Sequence, residues 1–557
     1  MHLGLAALST SFTLLSTPAQ PVAGYVAQSP LRRSQCEQTT VAVLGGGMAG
    51  VTAAQALSEN SMNDFVILEY RDTLGGRVWH GDFGQDPNGD PYVIEYGANW
   101  VQGLGSSNFE NPVWSLAKKY NLQNTWSNYD SILTYNETGY TDYTDVLDAY
   151  DAASEKASVH AGRILNYNLQ DMTARSGLAL SGWKPRRDDM KAQAVEWWNW
   201  DWEGAYSPET SSFVFGVAGE NLTFNQFGDQ NNLVIDRRGY SAIIQGEANT
   251  FLRPDDPRLR LNTQVTGIEH SPDGVTVHNA DGTCLSAAYA ICTFSVGVLQ
   301  NDAVEFTPAL PYWKQTAIYK FNMGTYTKIF MQFPETFWPN HTQFFLYADP
   351  TTRGYYPVFQ SLSTEDFLPD SNIIFVTVVE SQAYRVERQT DAQTQEEVMS
   401  ILRKMFPDIE IPEPTAFTYP RWSNEPWAYG SYSNWPAGTT LEMHQNLRAN
   451  VDRLWFAGEA TSAQYFGFLH GAWFEGREAG EHVASLLSGE CTGDEQEKDN
   501  GQANDRRNGL KKRDGESETG GKACSGEPHY GVLHGTSPIS AYTALNGWGV
   551  NSTSIQA

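Results

Sequence analysis

Apolar positions in this chain fall into two registers. Continuous runs, Val41-Ala42-Val43-Leu44 and Phe65-Val66-Ile67-Leu68, predict strands buried on both faces of a parallel sheet. Between them Ala53, Ala54, Ala56 and Leu57 continue as a helix, so the segment from 41 to 69 forms one strand, helix, strand unit. Strict alternation appears later: in the stretch beginning at Tyr326, strand geometry puts Tyr326, Lys328 and Phe330 on one face and Thr327, Ile329 and Met331 on the other. The run Arg260 to Ile268, then Gly274-Val275-Thr276-Val277 and Asp281-Gly282, predicts strands with tight turns. Near the end, Leu454-Trp455-Phe456-Ala457-Gly458-Glu459 predicts a strand running into a glycine and an acid, with a helix from about Gly471. Residues 489 to 525 are rich in Gly, Asp, Glu, Lys and Asn with almost nothing apolar, which predicts a disordered tail, and the remainder to Ala557 has no assigned role.

Between the first strand and helix, Gly45, Gly47 and Gly50 stand in the spacing G-x-G-x-x-G, with Met48 and Ala49 opening the helix. Glycine permits a tight turn at 45, close backbone approach to a pyrophosphate at 47 and close helix packing at 50, so helix N-terminal amides face phosphate charge. The chain has 49 glycines, so spacing alone says little. The flanking strand and helix, and Glu69 about 20 residues on, where an acid takes the adenosine ribose hydroxyls, give it weight as a dinucleotide cradle. NAD and FAD share this unit. Gly75-Gly76-Arg77 and the late Gly458-Glu459 favour an extended FAD, with Glu459 accepting from ribityl hydroxyls and the following helix N-terminus facing the flavin pyrimidine carbonyl.

These segments, with Gly97-Ala98-Asn99-Trp100, Asp236-Arg237-Arg238-Gly239-Tyr240, Ser295-Val296-Gly297-Val298-Leu299-Gln300, Tyr326-Thr327-Lys328-Ile329-Phe330, Gly458-Glu459-Ala460-Thr461-Ser462 and His470-Gly471-Ala472, resemble the flavin-containing amine oxidases, most closely the secreted plant-type polyamine oxidases. The resemblance covers about residues 38 to 488. It implies an α/β (α+β) fold in which a Rossmann-like FAD-binding domain (38–120, 228–319, 432–488) is interleaved with a substrate domain of mixed sheet and helices (121–227, 320–431), the first piece of the latter being helical. It implies FAD contacts at Met48, Ala49, Arg77, Ala98, Asn99, Trp100, Val265, Trp422, Phe468 and Leu469, besides the cradle residues, Gly458 and Glu459. The implied reaction is oxidation of a C–N bond by hydride transfer to flavin N5, with oxygen as acceptor and hydrogen peroxide as product. The matching catalytic lysine is Lys328, and the two rings of the amine slot match Tyr432 and Phe468. Residue chemistry alone leaves Lys328 as either a buried amine of depressed pKa or an edge lysine snorkelling to solvent.

Two departures bear on substrate. The family glutamate that faces a cationic substrate is Gln102 here, and a second acid is matched by Tyr206, which weakens attraction for spermidine or spermine by about 1 kcal/mol per partly solvated pair. Asp201 or Glu203 is placed to compensate from one turn away. Competing readings are a dedicated amine oxidase of a secondary-metabolite pathway, an L-amino-acid oxidase, for which no carboxylate-binding arginine is evident, and a flavin-binding protein without turnover.

Composition refines this picture. With 65 acids against 37 bases the net charge is −28, which disfavours nucleic acid as a partner and draws cationic substrates at low ionic strength. The partners expected are therefore a small amine and oxygen, with a monomer as the simplest assembly. The apolar run Leu3 to Leu15, followed by small residues, suggests a signal peptide over 1–22 although no Lys or Arg precedes it, and Arg32-Arg33 marks a possible cut. No other stretch is long enough to span a membrane. Five cysteines without C-x-x-C spacing indicate no metal site; Cys284 and Cys292 read as buried thiols, and Cys36 with Cys491 as a pairing open to an oxidising compartment. Sequons begin at Asn136, Asn221, Asn340 and Asn551.

Overall fold

Two large sheets organise the molecule. The computed structural model describes residues 36–105, 109–166 and 169–489. The expected leader, Arg32-Arg33, Cys491, Cys524, the Asn551 sequon and the tail from 490 lie outside them.

The first sheet has eight strands. Its path runs Leu259–Arg260, Phe65–Leu68, Glu37–Leu44, Cys284–Cys292, Gly274–Asn279, Val265–Ser271 and Glu305–Thr307, while Leu454–Phe456 pairs with the far end of Cys284–Cys292. The strands nearest the glycine turn are parallel: Val41 lies opposite Phe65 on one side and Tyr289 on the other, and Ala290 opposite Leu454. Val41 to Leu44 and Ile67 are wholly buried, as runs without alternation require in a sheet covered on both faces. All parallel strands that carry motif residues therefore end at one edge, where ligands of such sheets sit.

The helix Met48–Glu59 packs on Leu469–Ser488, the helix that follows the late strand, which starts two residues before the expected Gly471. Gly476 and Gly480 make this contact possible. A Cβ at either would collide with the carbonyl of Ala49 or Ala53, so the two helix backbones touch. This contact joins the first and last pieces of the chain beside the glycine turn.

The second sheet has seven strands in the order Ala416–Thr418, Tyr326–Gln332, Ile373–Val379, Val358–Ser361, Phe344–Ala348, Ile132–Asn136, Gly139–Tyr140. Tyr326–Gln332 is buried at every position, and Lys328 pairs with Thr377 inside the sheet. Its alternation separates two packed faces rather than a packed and a wet one, which removes the snorkelling alternative for Lys328. The piece from 121 opens with three short strands before its helices Thr144–Asn166, Ala174–Leu180, Met190–Glu196 and Phe213–Phe227. One of these, Asn124–Trp126, pairs with Asn231–Val234, which in turn pairs with Trp100–Gln102. Strand pairing thus crosses the boundaries drawn at 120 and 228, and everything from Cys36 onward belongs to one compact unit.

The cysteine pairing differs from expectation. Cys36 is disulfide-bonded to Cys284, with Cα atoms 4.8 Å apart, and Cys292 is a buried free thiol. The cause is register: Glu37 pairs with Leu285 in the parallel ladder, so the preceding residues of the two strands face each other. Among the described helices none is long and apolar enough to cross a membrane.

Candidate active site

The cradle forms where the first strand meets its helix. Gly45 adopts φ +112°, a left-handed conformation that side chains disfavour, and a Cβ there would strike Thr293. A Cβ on Gly50 would strike the Gly45 carbonyl, so that glycine protects the turn and lines no cavity itself. Glu69 braces the same turn: its two oxygens accept from the Gly46 N–H at 2.6 Å and the Arg71 N–H at 2.8 Å. Burial pushes its carboxyl up, opposed by these backbone donors. Gly45, Gly47, Glu69 and Val265 line one cleft, which is the adenosine end in the FAD assignment.

Arg77 and Thr293 line both this cleft and a larger cavity, so the two form one elongated space. On the larger side Met48, Ala49, Ala98, Asn99, Gly458 and Leu469 line the wall. The residues fit FAD. Gly458 has φ +155° and a Cβ there would meet nothing within 4 Å, so the glycine faces open room at a strand end. The buried Trp422 indole N–H, also at this cavity, has no hydrogen-bond partner among the described residues. Glu459 differs from expectation: its oxygens accept from Arg77 Nη1 at 2.7 Å, Ser433 Oγ at 2.6 Å, Ser433 N at 3.2 Å and Gly467 N at 2.9 Å. A carboxylate with these four donors joins three wall segments and holds Arg77, rather than reserving its lone pairs for ribityl hydroxyls.

Lys328 lies in the same cavity, 1% exposed, and its Nζ donates to the Gly97 carbonyl at 2.6 Å. Burial pushes its pKa down; the nearby Glu95 carboxyl opposes this and is itself pushed up by burial. Glu95 Oε1 accepts from the Tyr240 N–H at 2.6 Å, and Oε2 has no partner among the described residues. Around the lysine stand Trp100, Trp422, Tyr432 and Phe468. Tyr432 is oriented by its hydroxyl, which donates to the Glu203 carbonyl at 2.8 Å.

Of the substrate positions, Gln102, Tyr432 and Phe468 line the cavity and Tyr206 does not. The Tyr206 hydroxyl donates to the Met323 carbonyl at 3.1 Å, so that side chain is part of the framework. The compensating acids separate in the same way. Asp201 is bound by both terminal nitrogens of Arg353, at 2.6 and 2.7 Å, whereas Glu203 lines the cavity and accepts from Gln102 Nε2 at 3.0 Å. Motif reading missed Tyr326, Trp200 and Glu220, which line the cavity as well. Glu220 had a signal: it is the lone charge in the helix Phe213–Phe227, otherwise apolar or uncharged.

Comparison with known proteins bears on the whole chain. The family model for flavin containing amine oxidoreductase matches residues 48–484. Polyamine oxidase 7 of Oryza sativa subsp. japonica is 37% identical over 468 residues, covering 81% of this chain and 96% of that protein. Polyamine oxidase 1 of Zea mays is 37% identical over 490 residues, covering 85% and 95%. A solved double mutant of putrescine oxidase, from a redesign of its cofactor binding, superposes with TM-score 0.64 at 16% identity over 81% of this chain and 100% of that one, a likeness of fold. A glycine cradle continuous with a lysine-bearing aromatic cavity, and a family match that spans both, make this chain a member of the flavin-containing amine oxidoreductases.

Proposed function

We infer that the protein oxidises a C–N bond of a polyamine of the spermidine or spermine type, or of a related small amine, with FAD and oxygen. The observation that carries this is the buried Lys328 amine, fixed by Gly97 inside an aromatic cavity that continues into the glycine cradle. The chemistry that bound FAD supplies is acceptance of hydride from the carbon beside a neutral amine and return of both electrons to oxygen as hydrogen peroxide. The protein's own residues prepare the amine. Trp100, Tyr432 and Phe468 exclude water and offer electron-rich faces to the substrate nitrogen. Lys328 Nζ, deprived of hydration, is readily uncharged, and its lone pair takes the proton that a substrate ammonium sheds before its carbon can release hydride. Water then cleaves the imine to an aldehyde and an amine.

Relatives named polyamine oxidases support the substrate class. An amino-acid substrate is disfavoured because Arg77, the arginine on the described cavity wall, is held by Glu459. The test is peroxide release across monoamines, diamines, acetylated polyamines, spermidine and spermine. Release with polyamines is the expected result; flavin reduction by amino acids alone would overturn the reading.

Secretion belongs to the same reading. The apolar run Leu3 to Leu15 and the Cys36–Cys284 disulfide, a bond kept in oxidising compartments, support it, and the exposed Asn340 offers a glycosylation position. Recovery of the enzyme from the medium of a eukaryotic host, with a mass that falls on deglycosylation, is the expected outcome.

A further inference from the structure

The cavity at Lys328 carries two carboxyl groups that the oxidation step leaves unused. Glu203 follows the π-helical turn Trp197–Asp201, and Glu220 lies midway along the helix Phe213–Phe227, so two separate elements deliver them to one cavity. Neither meets a cation among the described residues: Glu203 is held by the Gln102 amide at 3.0 Å, and Glu220 has no hydrogen bond or ion pair there. Other buried acids nearby are neutralised by arginine. Arg353 bonds Glu196 and Asp201, Arg77 bonds Glu459, and Arg448 bonds Glu475. Burying an unpaired carboxylate is costly, and two that face one another cannot both ionise without a cation between them. The fold supplies arginine to the acids it uses for structure and withholds it from these two.

We propose that Glu203 and Glu220 act as a pair that binds a second ammonium group of the substrate, remote from the nitrogen being oxidised, and that its arrival displaces a proton the pair holds in common. The pair selects diamines and polyamines over monoamines, and it takes the place of acids at positions 102 and 206. Gln102 then acts as a neutral brace: its N–H orients Glu203 without adding a third charge. Burial pushes Glu203 up to about 7 and Glu220 up to about 8, the latter raised further by Glu203, so one proton between them near neutral pH is consistent with their surroundings. The other titratable groups facing them are phenols, Tyr129, Tyr326 and Tyr432 beside Glu203 and Tyr150 near Glu220, all pushed upward and neutral in this range. The displaced proton therefore comes from the carboxyl pair.

The inference rests on the amine-oxidase reading of this cavity, and the experiment separates the two. Peroxide release by the wild-type holoenzyme is measured first with spermidine; if no amine supports turnover, the underlying reading fails whatever the pair does. With an active enzyme, octamethylenediamine and octylamine, equal in length and differing in one terminal ammonium, are compared as competing ligands. Glu220→Gln and Glu203→Gln, each with an unchanged flavin spectrum as the check on folding, are expected to weaken the diamine at least about tenfold while moving octylamine less than about twofold. Calorimetry in buffers of different ionisation enthalpy should show release of about one proton on diamine binding to wild type and none in Glu220→Gln. Equal losses for both ligands, unchanged diamine affinity in both variants, or no proton release in wild type would each overturn the pair.

Discussion

At the scale of single residues, position in the sheet decides chemistry more than residue type. Lys328 and Lys314 are both buried lysines. Lys314 donates to the carbonyls of Leu447 and Ala449 and sits over Phe456, a structural arrangement, whereas Lys328 has one carbonyl partner and a cavity beside it. Lys328→Met should keep FAD bound, as its absorption spectrum would report, while slowing anaerobic flavin reduction by an amine about a hundredfold or more. Glu95 acts on the same lysine through its charge. When ionised it favours the ammonium form, so Glu95→Gln should lower the Lys328 pKa further and move the rising limb of the pH profile for flavin reduction to lower pH. An unmoved limb would show that Lys328 titrates independently of Glu95.

Helices and strands explain why some of these residues could be found by inspection and others could not. Gly45, Gly47 and Glu69 belong to one continuous unit of sequence, and local spacing was enough to bring them to one turn. Glu220 is legible only as an oddity, a charge in an apolar helix, because the element that faces it comes from elsewhere in the chain. Tyr206 shows the opposite error: alignment suggested a substrate contact, and a hydrogen bond to Met323 turns it into framework. The contact of the two long helices offers an element-scale prediction. Gly476→Val should overpack the Ala49 carbonyl, cost about 1–3 kcal/mol, and reduce FAD retention after desalting, since the displaced helix forms the cradle's rear wall.

Across the whole molecule, buried acids tie stability to pH. Glu220 has a folded pKa of about 8, above its ordinary value of 4.5. A group so raised is protonated more fully in the folded than in the unfolded chain, and the stability this represents is present below 4.5 and lost as pH rises through about 8. In ligand-free enzyme the melting temperature should fall over this window, and Glu220→Gln, permanently neutral, should flatten the fall; parallel curves would refute the assignment. Glu203, raised to about 7, adds in the same direction. The disulfide acts at the same scale: Cys36→Ser should destabilise the protein by about 2–5 kcal/mol in oxidised samples and change nothing in reduced ones. By itself the sequence determined the dinucleotide cradle, the flavin family and the lysine strand, because each is written within a few consecutive residues whose spacing a strand or a helix converts directly into geometry. Tertiary structure alone decided that Cys36 meets Cys284, that Glu459 braces Arg77, and that Glu203 and Glu220 share the cavity with Gln102. Those arrangements depend on parallel register and on the packing of elements up to several hundred residues apart, which no local pattern of apolar and polar positions encodes.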